Sequence, residues 1–142
     1  METVQPKPVG RNTVQLIGEA VVEIASVGFI ARDVFDGSMA ELTALCAANP
    51  KITGLLWTTS EIDGYEPGNT ALALKWIAQH AQIRRTAVVT RSQAMASLVH
   101  IGRVMIPGLE TRAFRIRAEA FEWFATPFTG RPRTRSGRFK AA

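Results

Sequence analysis

The sequence predicts an α/β domain: a five-stranded mixed, mostly parallel sheet with about four helices predominantly on one face. Two observations and one rule lead there. Residues 85–90 (RTAVVT) are a short β-branched run, and after them Met95, Leu98 and Val99 recur at helical spacing. Residues 110–116 (ETRAFRI) then return to an extended pattern, and residues 117–125 (RAEAFEWFA) close with a second helical stretch. Extended and helical periods alternating in this way make a βαβα unit with parallel strands. Upstream, residues 52–59 (ITGLLWTT) put Leu55, Leu56 and Trp57 on both faces of one strand, which belongs in the middle of a sheet covered on both sides. Successive right-handed crossovers laid down in strand order then place the helices predominantly on one face.

Taken in order, residues 1–12 hold two prolines and no periodicity, and are expected to form a flexible leader. Residues 13–17 and 20–25 are β-rich and split by Gly18-Glu19, which predicts a hairpin whose first strand is antiparallel to the rest. A helix over 32–48 carries Val34, Phe35, Met39, Leu42, Leu45 and Cys46 on one stripe and ends at Asn49-Pro50, because proline disfavours a helical residue before it. Gly37 weakens that helix by about 1 kcal/mol relative to alanine. Residues 60–68 (SEIDGYEPG) are expected to be a long internal loop with an exposed Tyr65. Asn69 is expected to cap a helix over 69–80, whose Leu72, Ala73, Trp76 and Ile77 face the core. Ser92 is the expected N-cap of a helix over 92–105, which Pro107-Gly108 stops. Phe114 is expected to be buried between the last strand and the helices, while the face without helices has Thr53, Thr86 and Arg112 to line it.

A chain of 142 residues suits one domain, expected over 13–125. The net charge of +5 suggests nucleic acid until it is located. Five of the 17 basic residues are Arg131, Arg133, Arg135, Arg138 and Lys140, with no acid among them, and the other 12 match the 12 acidic residues. The basic character therefore belongs to residues 126–142, rich in Gly, Pro, Ser and Arg and expected to be disordered. Cys46 is the sole cysteine, so no internal disulfide can form, and it reads as an inert buried thiol in a reducing compartment. With no apolar run of secretory or membrane-spanning length, a cytoplasmic protein is expected.

No catalytic residue stands out. His80, His100 and Cys46 fall on three separate predicted helices without ligand spacing, so no metal and no cofactor are expected. Nucleophile elbow, Gly-rich phosphate loop and dinucleotide fingerprint are absent from the sequence, which argues against an enzyme of a recognisable class. Glu61, Asp63 and Glu66 sit among glycines and a proline, the setting of solvated loop acids, and Trp57, Trp76 and Trp123 fall on predicted buried faces.

The stretch RTAVVTRSQAMASLVHIGRVMIPGLETRAFRIRAEAFEWFA resembles the C-terminal half of STAS domains, in particular the SpoIIAA-like group of small proteins. The likeness rests on a strand ending in a hydroxyl residue (Val88-Val89-Thr90), a helix, a proline-containing loop, a strand ending in Phe114, and Ala120 with Trp123 in the last helix. It extends back to about Thr13. The resemblance implies a non-catalytic regulatory domain that binds another protein, such as a signalling kinase or anti-sigma factor. It also implies a phosphorylated serine at the start of the helix after the central strand. The corresponding turn is Gly68-Asn69-Thr70-Ala71, where Thr70 alone offers a hydroxyl and the family's Asp, paired Ser and following Gly are missing.

Three functional expectations follow. In the first, a partner protein docks beyond the carboxyl ends of the strands, where Tyr65, Asn69, Thr70, Arg91, Ser92 and Arg117 are expected to gather. In the second, a small apolar ligand or lipid is carried by Phe29, Phe35, Trp76, Met95, Met105 and Phe121. In the third, nucleic acid or an anionic membrane binds the basic tail, where Ser136 follows Arg133 by three residues and is, with Thr70, a candidate phosphorylation site.

Overall fold

The computed structural model describes residues 10–128. Five strands alternate with four helices: β1 (Arg11–Ile17), β2 (Val21–Ile30), α1 (Arg32–Ala48), β3 (Gly54–Tyr65), α2 (Asn69–Gln79), β4 (Arg85–Val89), α3 (Gln93–Met105), β5 (Glu110–Phe114) and α4 (Arg117–Ala125). The sheet runs β1-β2-β3-β4-β5, with β1 antiparallel to β2 and every other pair parallel, so β3 is central as its two apolar faces require. The hairpin turns at Gly18, whose φ of 64° is left-handed and costs a glycine little. β1 starts at Arg11, two residues inside the expected leader, and Asn12 is held there by Ser26 and Ser38.

Two apolar layers flank the sheet. On one face Phe35, Met39, Leu42 and Cys46 of α1 and Ala73, Trp76 and Ile77 of α2 pack with Val22, Ile24, Ile30 and Leu55. α3 adds Val99 to the same side, so three of the four helices lie where right-handed crossovers put them. The opposite face is not bare. α4 folds back across it, setting Ala120, Phe121, Trp123 and Phe124 against Leu56, Ala87 and Val89. Phe114 belongs to this layer, half-buried with its ring 5.8 Å from Trp123, rather than buried among the other helices. Gly54 marks how closely α4 approaches β3, because a Cβ there would come within 2.7 Å of the Phe124 ring.

β3 runs on to Tyr65, through most of the stretch expected to be a loop, and leaves only residues 66–68 outside regular structure. Beyond Thr58, where β4 stops pairing, β2 and β3 continue alone as a ribbon with register shifts after Ala25 and Gly28. One side of that ribbon faces water. Glu61 and Asp63 point to it while Ile62 and Tyr65 pack on the core, so the acids that suggested a loop are the outer half of a strand pattern.

Candidate functional site

A cavity of about 100 Å³ lies between the sheet and helices α2 and α3. Its walls are apolar, from Phe35, Trp57, Val88 and Val99. The half-buried Tyr65, Thr70 and Met95 line one end, at the close of β3 and the starts of α2 and α3. Buried Ile77, Thr86, Leu109 and Thr111 line the other. Burial falls from Ile77, Thr86, Leu109 and Thr111 to Tyr65, Thr70 and Met95, which puts the accessible mouth of the cavity at the carboxyl edge of the sheet. The Tyr65 hydroxyl reaches Met95 Sδ at 3.8 Å across that mouth.

The buried side-chain polar atoms around the cavity are partnered, with one exception. Trp57 Nε1 donates to Ser26 Oγ (3.0 Å), which donates to Asn12 Oδ1 (2.6 Å). Thr59 Oγ1 donates to the Val89 carbonyl (2.9 Å) and Thr111 Oγ1 to the Val99 carbonyl (3.0 Å). Thr86 Oγ1 is the one buried side-chain polar atom among the described residues with no hydrogen-bond partner. Strand alternation puts Thr86 beside Thr111, its direct partner in the β4–β5 register, on the cavity side of the sheet and not on the face expected to be bare.

The start of α2 is fixed by a polar cluster. Gly68, with φ 95°, is the N-cap, and a Cβ there would meet Arg32 Nη2 at 2.7 Å. Asn69 is therefore not the cap. It is buried inside the helix's first turn, where Oδ1 accepts from Arg32 Nε (2.7 Å) and Nδ2 donates to the Ile30 carbonyl (3.2 Å). Arg32 also donates to the Pro67 carbonyl (2.8 Å), and its backbone N–H to Glu66 Oε1 (3.3 Å). Ser92 does cap α3, accepting from the Met95 N–H at 3.2 Å. Beside it lies a hollow of about 140 Å³ lined by Thr90, Arg91, Ser92, Gln93, Phe114 and Arg115, with both arginines exposed.

Residues 21–125 match the sequence model of SpoIIAA-like proteins. The chain belongs to the SpoIIAA-like family. No curated protein sequence matches it. Among solved structures, an uncharacterised protein of SpoIIAA-like fold from Shewanella loihica PV-4 superposes with a TM-score of 0.63 at 16% identity, over 87% of this chain and 98% of that one. The anti-sigma factor antagonist SpoIIAA in its unphosphorylated form gives 0.63 at 12% identity, over 82% and 99%. An anti-sigma factor antagonist from Mycobacterium paratuberculosis gives 0.58 at 14%, over 81% and 93%. These likenesses establish a shared fold.

In this SpoIIAA-like domain the six residues expected to form one docking edge separate. Arg91 and Ser92 are exposed there, Thr70 is half-buried at the cavity mouth, and Asn69 is inside the polar cluster. Tyr65 is a half-buried cavity residue and not an exposed loop tip. Arg117 turns under the sheet, donating to Glu23 through Nε (2.8 Å) and Nη2 (2.7 Å) with its guanidinium over Phe121. The apolar set separates too, because only Phe35 and Met95 line the cavity. Trp76 packs in the core with its Nε1 donating to Thr43, Phe29 and Met105 face solvent, and Phe121 is on the α4 face. Helical and strand periods alone do not say which apolar residues surround a void and which fill one. Arg131, Arg133, Arg135, Ser136, Arg138 and Lys140 lie outside the described residues.

His80 donates through Nδ1 to the Trp76 carbonyl (2.7 Å) and stacks on the Trp76 ring, and His100 is an exposed helix residue. Burial pushes the Cys46 thiol up to about 11, which leaves it protonated and unreactive at neutral pH. Among the described residues no three His, Cys, Asp or Glu side chains form a metal-holding group, and no helix is long and apolar enough to cross a membrane.

Proposed function

We propose that this chain is a non-catalytic regulatory domain that binds another protein at the carboxyl edge of its sheet, beside the start of α3. The observation that carries this is the hollow between the start of α3 and the end of β5, lined by the exposed Arg91 and Arg115 and by Ser92, which caps the helix. Two arginines and the positive end of a helix favour an acidic partner surface. Its fold is that of solved anti-sigma factor antagonists, which supports a regulatory role of the same kind. SpoIIAA has been solved in phosphorylated form as well, and Thr70 is the hydroxyl this chain offers at the start of α2. A phosphate there would add about −1.5 to −2 charges at the cavity mouth. The test is a pull-down from the source cell with wild type, an Arg91→Glu/Arg115→Glu double variant and Thr70→Asp, each checked by circular dichroism. Loss of the same partner from the double variant supports the reading, and unchanged capture by both variants rejects it.

A second reading is favoured by the cavity itself: the domain holds a small apolar molecule between its sheet and helices. A void lined by Trp57, Val88, Val99 and Met95 and open at one end is the kind of site that takes such ligands. The two readings are compatible, since Thr70 belongs both to the cavity mouth and to the start of α2.

A further inference from the structure

We infer that the cavity selects a small neutral molecule carrying one hydroxyl, which enters polar end first, sets that hydroxyl on Thr86 and leaves its apolar body toward Tyr65 and Met95. This rests on the apolar-ligand reading above and adds the ligand's chemistry and direction.

The argument begins with an unmet demand. A buried hydroxyl without a partner costs free energy, and native interiors seldom keep one. Thr86 is 6% exposed, its Oγ1 has no partner, and it lines the deep end of a cavity whose other buried polar groups are satisfied. Its neighbour Thr111 has used its proton on the Val99 carbonyl, but its oxygen keeps a lone pair. The floor thus offers one group that both donates and accepts and one that only accepts. A ligand hydroxyl answers both, accepting from Thr86 while donating to the Thr111 oxygen. A carbonyl answers only the first.

Charge is excluded by what surrounds the floor. The guanidinium of Arg85 faces the α4 side of the sheet, bound to Glu110 and to carbonyls of residues 123, 126 and 127. Arg103 places Nη2 on the Thr111 carbonyl (2.7 Å) and does not line the cavity. A carboxylate on Thr86 would therefore be buried without a counter-ion, which costs more than two threonine hydroxyls return. A lone water would find few partners in walls so apolar, since a buried water typically makes about three hydrogen bonds. Size sets the remaining limit. A closed apolar cavity of roughly 150 Å³ admits benzene, and this one, about 100 Å³ with an open end, suits a single ring or a short chain that reaches the mouth.

Phenol and benzene are the probes, titrated into the whole protein and followed by the amide NMR shifts of Thr86, Val99 and Thr111. Thr86→Val keeps the shape and the β-branch but removes the hydroxyl, and Thr86→Ser keeps the hydroxyl. Phenol should bind wild type and Thr86→Ser, and bind Thr86→Val about fivefold more weakly, the value of one neutral hydrogen bond. Benzene should bind wild type and Thr86→Val alike. Thr86→Val should also melt no lower than wild type, because it removes an unsatisfied group. If neither probe binds wild type, the apolar-ligand reading fails and this inference with it. If both bind but Thr86→Val leaves phenol unchanged, or melts well below wild type, the cavity stands and the role given to Thr86 is wrong.

Discussion

Glu23 is 2% exposed, a carboxylate that no single element could hold. Two hydrogen bonds from Arg117, one from Thr58 Oγ1 (2.6 Å) and one from Gln15 Nε2 (2.9 Å) bring α4, β3 and β1 onto a residue of β2. The Arg117 hydrogen bonds outweigh the cost of burial and, with Thr58 and Gln15, hold the carboxyl down at about 2. A folded value below the unfolded one gives stability that is full above the unfolded value, near 4.5, and is lost as pH falls toward 2. With Arg117 half exposed to solvent screening, the loss should be on the order of 2 kcal/mol. Urea unfolding at pH 7, 4 and 2.5 should show this window for wild type, whereas Glu23→Gln should start less stable at pH 7 and lose less on acidification. Parallel pH profiles for the two proteins would show that Glu23 is not the group responsible. Nothing in the sequence marked this residue, because its guanidinium partner lies 94 positions away and local pattern carries no information at that range.

At the level of elements, periodicity reported what local physics controls. α1, α3 and α4 end within a residue of where apolar spacing and proline placed them, since backbone sterics at Pro50 and Pro107 act on the nearest neighbours alone. In the far half of β3 composition and alternation point in opposite directions. Its acids and glycines suggest a turn, while Ile62 and Tyr65 on the core side carry the strand signal. Two glycines test the element packing in opposite directions. Gly37 is exposed in the middle of α1 with nothing within 4 Å of an added Cβ, so Gly37→Ala should stabilise the protein by about 0.5–1 kcal/mol through the helix backbone. Gly54 starts β3 beneath α4, and Gly54→Ala should lower the melting temperature because its Cβ meets the Phe124 ring and the Val21 side chain. A rise for both substitutions would mean that α4 does not press on β3 as described.

At the level of the whole molecule, the sheet's second cover could not be read from crossover handedness. That rule governs helices joining two parallel strands, and α4 follows β5 with no further strand among the described residues to constrain its side. What decides its place is the apolar face of β3 and β4 at Leu56, Ala87 and Val89, which would otherwise face water. Arg85 then fastens the helix end. Although only 7% exposed, it pairs with Glu110 at 3.0 Å and donates to the carbonyls of Trp123 (2.9 Å), Thr126 (2.7 Å) and Pro127 (2.8 Å), with Phe128 beneath its guanidinium. Residues 126–128 thus belong to the folded body and not to the tail that composition assigned them to. A chain ending at Phe128 and one ending at Ala125 differ only in these residues, so their difference isolates the clamp. The shorter chain should be less stable by about 1.5–3 kcal/mol, the scale of hydrogen bonds to a charged group left buried without them. Arg85→Met should then cost less in the shorter chain than in the longer one, because part of what the arginine binds is already gone. Equal melting of the two truncated chains, or equal cost of Arg85→Met in both, would separate Arg85 from the carbonyls of residues 126 and 127 and leave the aromatic packing of Trp123 and Phe124 as what holds α4 to the sheet.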